Sequence, residues 1–153
     1  MHSINELVAL ARTRGWPVIW IRQEHAPDLS DASIEIRTKR IPAAIRGTLG
    51  AMHPPGLDVK ADEPVIIKKR YSAFFGTNFD GVLAQLGTRR LILCGINTHA
   101  CVRTSAIDAY QRDFELIVAR DCVGSYDHEH HALTLRYFDG KIARVLSNAE
   151  IAS

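Results

Sequence analysis

Cys101 and Lys68 are the two residues in this sequence whose types and positions could support covalent chemistry. A cysteine nucleophile has to be held as thiolate, which takes a proton acceptor and a nearby cation. Cys101 lies in the stretch RRLILCGINTHACVR, residues 89–103. There Leu91, Ile92, Leu93 and Cys94 form a continuous apolar run, as in a strand buried on both faces of a parallel sheet, and Gly95 ends it. A helix starting near Thr98 or His99 would carry Cys101, Val102, Ser105, Ala106 and Ala109 forward, with Cys101 in or beside its first turn. Unpaired backbone N–H groups and the helix dipole favour thiolate there. The same N–H groups, those of Asn97 and Cys101, could bind an oxyanion. Lys68 ends the apolar run Val65-Ile66-Ile67 and could supply the cation. The competing structural account is a small residue buried in a helix's first turn, a solvated lysine, and a strand-to-helix turn capped by Asn97 or Thr98.

Histidines are the other source of chemistry. His99, His25, His128, His130 and His131 include the run HEHH at 128–131, but no second ligand group at zinc-site spacing accompanies it, and the run reads as a solvated helix start. Glu24 and His25 are followed only by Asp28 and Asp31. No metal and no cofactor is expected. Cys94 and Cys122 lie among apolar neighbours at strand ends and read as inert free thiols.

The elements that must position these residues alternate in type. Ile4, Leu7, Val8 and Ala11 recur at helical spacing, and Gly15 closes the pattern. Val18 to Ile21 reads as a strand ending at Arg22-Gln23-Glu24-His25. From Ala26 to Pro64 comes a long excursion rich in Pro, Gly, Asp and Ser, with a weak helical patch around Ile34 to Arg46. A strand at Val65–Ile67, a helix over about Phe79–Leu86 capped by Thr77 or Asn78, the strand at Leu91–Cys94 and a helix over Thr98–Gln111 follow. A strand at Leu116–Ala119, a helix over Glu129–Phe138 and a strand at Ala143–Leu146 complete the chain. This alternation specifies an α/β fold, a doubly wound and mostly parallel sheet with helices on both faces. Ligands of such sheets bind beyond the carboxyl ends of the strands, where Gln23 to His25, Lys68, Asn97 to Cys101 and Asp121 to Tyr126 fall.

Composition narrows the classes. At 153 residues, 46% hydrophobic and 24% charged, the chain suits one domain, 1–153. The net charge of +2 is scattered, with Lys68-Lys69-Arg70 the densest cluster, so nucleic acid is not an expected partner. No apolar run approaches the roughly 18 residues of a membrane span, and no signal-peptide pattern opens the chain, so a cytoplasmic protein is expected.

Two longer patterns resemble one known family. GINTHACVRTSAIDAY is similar to the nucleophile segment of the isochorismatase-like cysteine hydrolases, and IIKKRYSAFFGT is similar to their lysine segment. The family includes nicotinamidases, N-carbamoylsarcosine amidase and ureidoacrylate amidohydrolases. A weaker likeness runs from Ile4 to the end, and Arg120-Asp121-Cys122 resembles the family's acidic strand end. The resemblance implies that Cys101 is the nucleophile, Lys68 the catalytic lysine, and Asn97 an oxyanion donor beside Cys101, after a cis peptide at Ile96–Asn97. Gln23, Tyr71, Phe74 and Asn97 would contact substrate. The implied reaction is hydrolysis of a small amide or carbamoyl-type C–N bond through a thioester on Cys101. The nicotinamidase branch's further metal-ligating histidines are not in place after Glu24-His25. The family's habit of forming dimers or larger assemblies implies a homo-oligomer, with the Ala26–Pro64 excursion as a contact.

The sequence departs from the family at its start. The family's third catalytic residue is an aspartate closing a strand that precedes the first helix; here the sequence begins at or inside that helix, and no Asp precedes Asp28. A sheet without its first, central strand is therefore expected, leaving unpaired backbone groups on two strands. A family member without the chemistry, acting as a small-molecule binding or interaction subunit, is the alternative reading.

Overall fold

Apolar runs bounded by turn residues pair in parallel, and the helices between them cover both faces. The computed structural model describes all 153 residues. The strands are β1 (Trp20–Gln23), β2 (Val65–Lys68), β3 (Arg90–Ile96), β4 (Glu115–Gly124) and β5 (Arg144–Leu146). The helices are α1 (His2–Thr13), α2 (Ile34–Lys39), α3 (Phe79–Gln85), α4 (Arg103–Tyr110), α5 (His128–Phe138) and α6 (Asn148–Ala152). Boundaries expected from the sequence agree to within a few residues, except that the helical patch expected over Ile34 to Arg46 ends at Lys39, that α4 starts at Arg103 where the helix was expected from Thr98, and that β4 runs on to Gly124. The short helix α6 falls outside the expected elements; its capping box, with Ser147 accepting from the Glu150 N–H and Glu150 accepting from the Ser147 N–H, is the signal that marks it.

Side-chain alternation along the strands builds two cores. Leu91, Leu93, Leu116 and Val118 point to one face, where Phe74, Phe79, Leu83, Ala106, Ala109 and Phe138 from α3, α4, α5 and their approaches fill the layer. Ile92, Ile117 and Ala119 point to the other, against Leu7 of α1 and Ile151 of α6. Ile21 of β1 and Ile66 of β2 join the first cluster, together with Ile19 just before β1.

The β structure is in two parts. β1 pairs with β2, Trp20 opposite Val65 and Gln23 opposite Lys68. β3 pairs with β4, and β4 with β5, all parallel. No ladder joins β1 to β3, so each keeps one unpaired edge, and the two sheets are held together by the shared first core. Near its end β3 shifts register against β4 between Leu93 and Gly95. Gly95 has a φ of 119°, a conformation open to glycine and poorly tolerated by side chains, and it turns the strand towards the Cys101 segment.

The excursion after β1 is tied back onto it. The His25 N–H donates to Ala44 O at 2.7 Å and the Arg46 N–H to His25 O at 2.8 Å. Glu24 pairs with Arg22 at 2.9 Å and with Arg46 at 3.4 Å. At the far end of the excursion Glu63 anchors α1. Its carboxylate accepts from Arg12 Nε at 2.8 Å, Trp20 Nε1 at 2.6 Å and the Lys60 N–H at 3.1 Å.

The Arg12 hydrogen bond is the main cause holding the Glu63 carboxyl well below its ordinary range, at about 2. Between about 2 and 4.5 the unfolded chain therefore binds a proton that the folded one refuses. The stabilisation is complete above that window and is lost as pH falls through it. Glu63→Gln should cost roughly 2 kcal/mol at pH 7, as for charge-assisted hydrogen bonds of this kind, read from the urea midpoint. An unchanged midpoint would remove Glu63 from this role.

Candidate active site

Burial of a lysine at the end of β2 sets the geometry. Lys68 is 6% exposed, and a buried ammonium needs an acceptor for each of its three protons. Nζ donates to Arg70 O at 2.8 Å, to Gln23 Oε1 at 3.3 Å and to Cys101 Sγ at 3.2 Å. The two residues singled out for chemistry, 33 positions apart in sequence, are thus in direct contact.

Cys101 is carried by a π turn, Thr98–Val102, that leads into α4. The Ala100 and Val102 N–H groups both donate to Asn97 O, at 3.1 and 3.2 Å, and the Ile96–Asn97 peptide is cis. The Asn97 N–H has no acceptor within the chain. π turns inside helices recur at functional sites because they swing one residue out of helical register.

Neither Asn97 nor Thr98 caps this turn through its side chain, the cap that the competing structural account would have used. Thr98 is fully buried and donates instead to Gly124 O at 2.9 Å, at the end of β4. Having donated, its hydroxyl accepts from His131 Nδ1 at 2.9 Å, which places the His131 proton on that nitrogen. His99 bonds the Ser125 hydroxyl through Nδ1 at 2.6 Å and stands edge-on to Tyr126, ring centroids 5.2 Å apart. The turn bearing Cys101 is therefore clamped to the end of β4 and to α5.

The HEHH segment starts α5. Asp127 Oδ1 accepts the His130 N–H at 2.9 Å and Oδ2 meets His130 Nδ1 at 2.6 Å, which raises the His130 imidazole and lowers the Asp127 carboxyl from their ordinary values. His, Cys, Asp and Glu side chains are nowhere gathered in threes in an arrangement fit for a metal.

The expected substrate contacts divide. Gln23 faces the site, with Oε1 on Lys68 and Nε2 at 2.8 Å from His25 Nε2. Tyr71 is exposed just past Lys68. Phe74 is 5% exposed, packs on Phe79 at 4.8 Å between ring centroids, and has the Arg112 guanidinium over its ring. Three residues on from Tyr71, its ring turns inward to fill the layer against α3. Cys122 is buried, and burial pushes its thiol up. Cys94 is crowded by atoms that push its thiol up to about 12, yet it keeps solvent-accessible surface.

His25 is the residue whose part here went unassigned. It is fully buried, and burial is the main cause lowering its imidazole from the ordinary value. Its Nδ1 has no hydrogen-bond partner and lies 3.7 Å from Asp31 Oδ1. Asp31 in turn pairs with Lys69 at 2.8 Å and accepts the Ala26 N–H. The sequence signal was position: His25 is two residues from Gln23, so on an extended segment the two side chains share a face.

Layered parallel strands with helices on both sides, and polar side chains collected at the strands' carboxyl ends, place the molecule among ligand-binding α/β folds. Residues 1–150 match the Isochorismatase domain family, and the chain belongs to it. It is 30% identical over 151 residues to the uncharacterized isochorismatase family protein YecD of Escherichia coli O157:H7, covering 99% of this chain and 80% of that one. Against the maleamate amidohydrolase of Pseudomonas putida it is 31% identical over 146 residues, 94% of this chain and 68% of the relative. Among solved structures, the N-carbamoylsarcosine amidase of Thermoplasma acidophilum superposes with a TM-score of 0.84 at 28% identity, covering 99% of this chain and 84% of that one.

Thr98→Val would remove the hydroxyl linking Gly124 O to His131 and take one partner from each of these two part-buried groups. The expected cost is about 1–3 kcal/mol, measured by urea unfolding. A change within a few tenths would mean that the clamp is not energetically coupled to the fold.

Proposed function

We propose that this chain is a cysteine hydrolase of small amide or carbamoyl-type C–N bonds, acting through a thioester on Cys101. The observation that carries the reading is the 3.2 Å contact between Lys68 Nζ and Cys101 Sγ. A buried ammonium against sulfur favours thiolate, the form that attacks carbonyl carbon. In the proposed reaction a C–S bond forms, and the carbonyl oxygen becomes an oxyanion held by the N–H groups of Asn97 and Cys101. The C–N bond then breaks, and the amine leaves with a proton equivalent to the one the thiol released, taken up through solvent water. Water cleaves the thioester, releasing the acid and returning the thiol. Gln23, Tyr71 and Asn97 are the proposed substrate contacts, and names such as maleamate amidohydrolase and N-carbamoylsarcosine amidase among similar proteins support the bond class. We also propose that the enzyme works as a homo-oligomer in the cytoplasm; none of its helices is long and apolar enough to cross a membrane.

A second reading rests on a specific observation. Among the side-chain contacts of Cys101 Sγ there is Lys68 and no carboxylate, so the chain offers no carboxylate beside sulfur to pass the thiol proton to the leaving amine. A non-catalytic family member that binds a small molecule would keep this site and lack that group.

The two readings separate in one experiment. Purified protein is incubated with maleamate, N-carbamoylsarcosine and nicotinamide, and both released ammonia and acyl adducts on Cys101 are followed, the latter by mass spectrometry. The enzyme reading expects turnover of at least one compound, abolished in Cys101→Ala. Rapid iodoacetamide labelling of Cys101 with no turnover and no adduct would favour the binding subunit. In either case Lys68→Met should slow labelling at pH 7 about tenfold or more, since it removes the cation that holds the thiolate. A wild-type labelling rate in that variant would overturn the Lys68–Cys101 pairing.

A further inference from the structure

We propose that His25 is a positioning residue for Cys101: by accepting a hydrogen bond from the Gln23 amide it fixes that amide with its carbonyl towards Lys68, and so holds the Lys68 ammonium on the sulfur. The inference rests on the reading of Cys101 and Lys68 as nucleophile and cation, and adds what sets the cation's direction.

The argument is one of donors and acceptors. An ammonium carries donors alone, so the Gln23 atom 3.3 Å from Lys68 Nζ has to be the carbonyl oxygen. The amide nitrogen then faces His25 Nε2 at 2.8 Å. That NH2 group can only donate, so His25 Nε2 must be an unprotonated acceptor and the imidazole is neutral with its proton on Nδ1. Nδ1 is the buried nitrogen left without a partner, 3.7 Å from Asp31 Oδ1, and so nothing draws the proton back to Nε2.

A protonated His25 would present donors on both nitrogens. Facing one of them, the Gln23 amide would have to turn over, putting its NH2 against the Lys68 ammonium. Lys68 would then lose one of its three acceptors and its fixed aim at Cys101. The charges that face His25 are Asp31, Lys69, Arg70 and Lys68, three cations against one carboxylate. Neighbouring Glu24 sends its carboxylate instead to Arg22 and Arg46. Burial and the three cations keep the imidazole neutral, while Asp31 works the other way. The consequence is a site whose sulfur loses its cation as pH falls below the ordinary histidine range.

The test is the rate of Cys101 alkylation by iodoacetamide on the full chain between pH 5 and 8, with folding checked by circular dichroism. His25→Leu, which has no acceptor, should slow alkylation at pH 7 about tenfold, the equivalent of about one unit in thiolate affinity for its proton. His25→Gln, which can place a carbonyl near the Nε2 position, should restore the rate to within about threefold of the native chain and remove the extra fall in rate at acid pH. In a Gln23→Met background, already slowed, His25→Leu should add nothing, because both act through one hydrogen bond. A native rate in His25→Leu overturns the proposal. So does equal slowing in His25→Leu and His25→Gln, or a full additional slowing on top of Gln23→Met, since each marks a general structural effect. Should His25→Leu fail to fold, Gln23→Met carries the test alone: it must slow alkylation about tenfold, and a native rate overturns the proposal. Lys68→Met separates the two levels of inference. If it alkylates at the native rate, the nucleophile-and-cation reading fails; if it is slow while His25→Leu is native, only the positioning role fails.

Discussion

One buried cation organises this molecule's chemistry. Removing the Lys68 ammonium from water is costly unless each of its protons meets an acceptor, and the three it meets come from three different places: Gln23 on β1, the Arg70 carbonyl just past β2, and Cys101 in the turn before α4. Two of these are neutral dipoles. Sulfur is the acceptor that can become an anion, and the proposed reaction uses it as one. In the proposed reaction the same contact, viewed from the cysteine, supplies the activating cation. Structural necessity and proposed reactivity are one interaction seen from its two ends.

That contact has to survive in a sheet that comes in two parts. Lys68 belongs to the β1–β2 pair and Cys101 follows β3, and no backbone ladder connects the pairs. What fixes their spacing is packing: Ile19, Ile21 and Ile66 from one sheet and Leu91 and Leu93 from the other share the layer filled by Phe74, Phe79, Leu83 and Phe138. Phe74 inside this layer is thus closer to the chemistry in effect than it would be as a pocket wall, since side-chain volume there sets the distance between cation and sulfur. The Thr98–Gly124 and His131–Thr98 bonds perform the corresponding task on the other side, holding the Cys101 turn to β4 and α5.

Much of this was legible in the sequence, and the parts that were not share a cause. Continuous apolar runs marked β2, β3 and β4, and helical periodicity marked α1, because burial of a face leaves a repeating trace in composition. Lys68 and Cys101 stood out because both fall at carboxyl ends of apolar runs, and two long segments around them resemble those of one family. The inward turn of Phe74 is not legible, because sequence separation from Tyr71 does not say which of two neighbouring aromatic rings faces the core. Thr98 looked like a cap because threonine commonly is one; the long-range acceptor at Gly124, 26 residues away, outcompeted the local backbone. Tertiary hydrogen bonds of this kind leave no periodic mark.

His25 shows the same limit and what lies beyond it. As a letter two places after Gln23 it invites only a weak metal reading, and nothing local marks it as a buried acceptor. The assignment comes only when donors and acceptors are counted along the whole chain of contacts, from Cys101 through Lys68 and Gln23 to His25 and on towards Asp31. Asp31 belongs to the excursion between β1 and β2, and it is held there by Lys69 and the Ala26 N–H. The excursion is therefore electrostatically continuous with the sulfur: shifting Asp31 alters the field at His25, the protonation of His25 decides which way the Gln23 amide faces, and that amide decides whether Lys68 stays on Cys101. A segment with little regular structure of its own thus gains a defined physical route to the reactive atom.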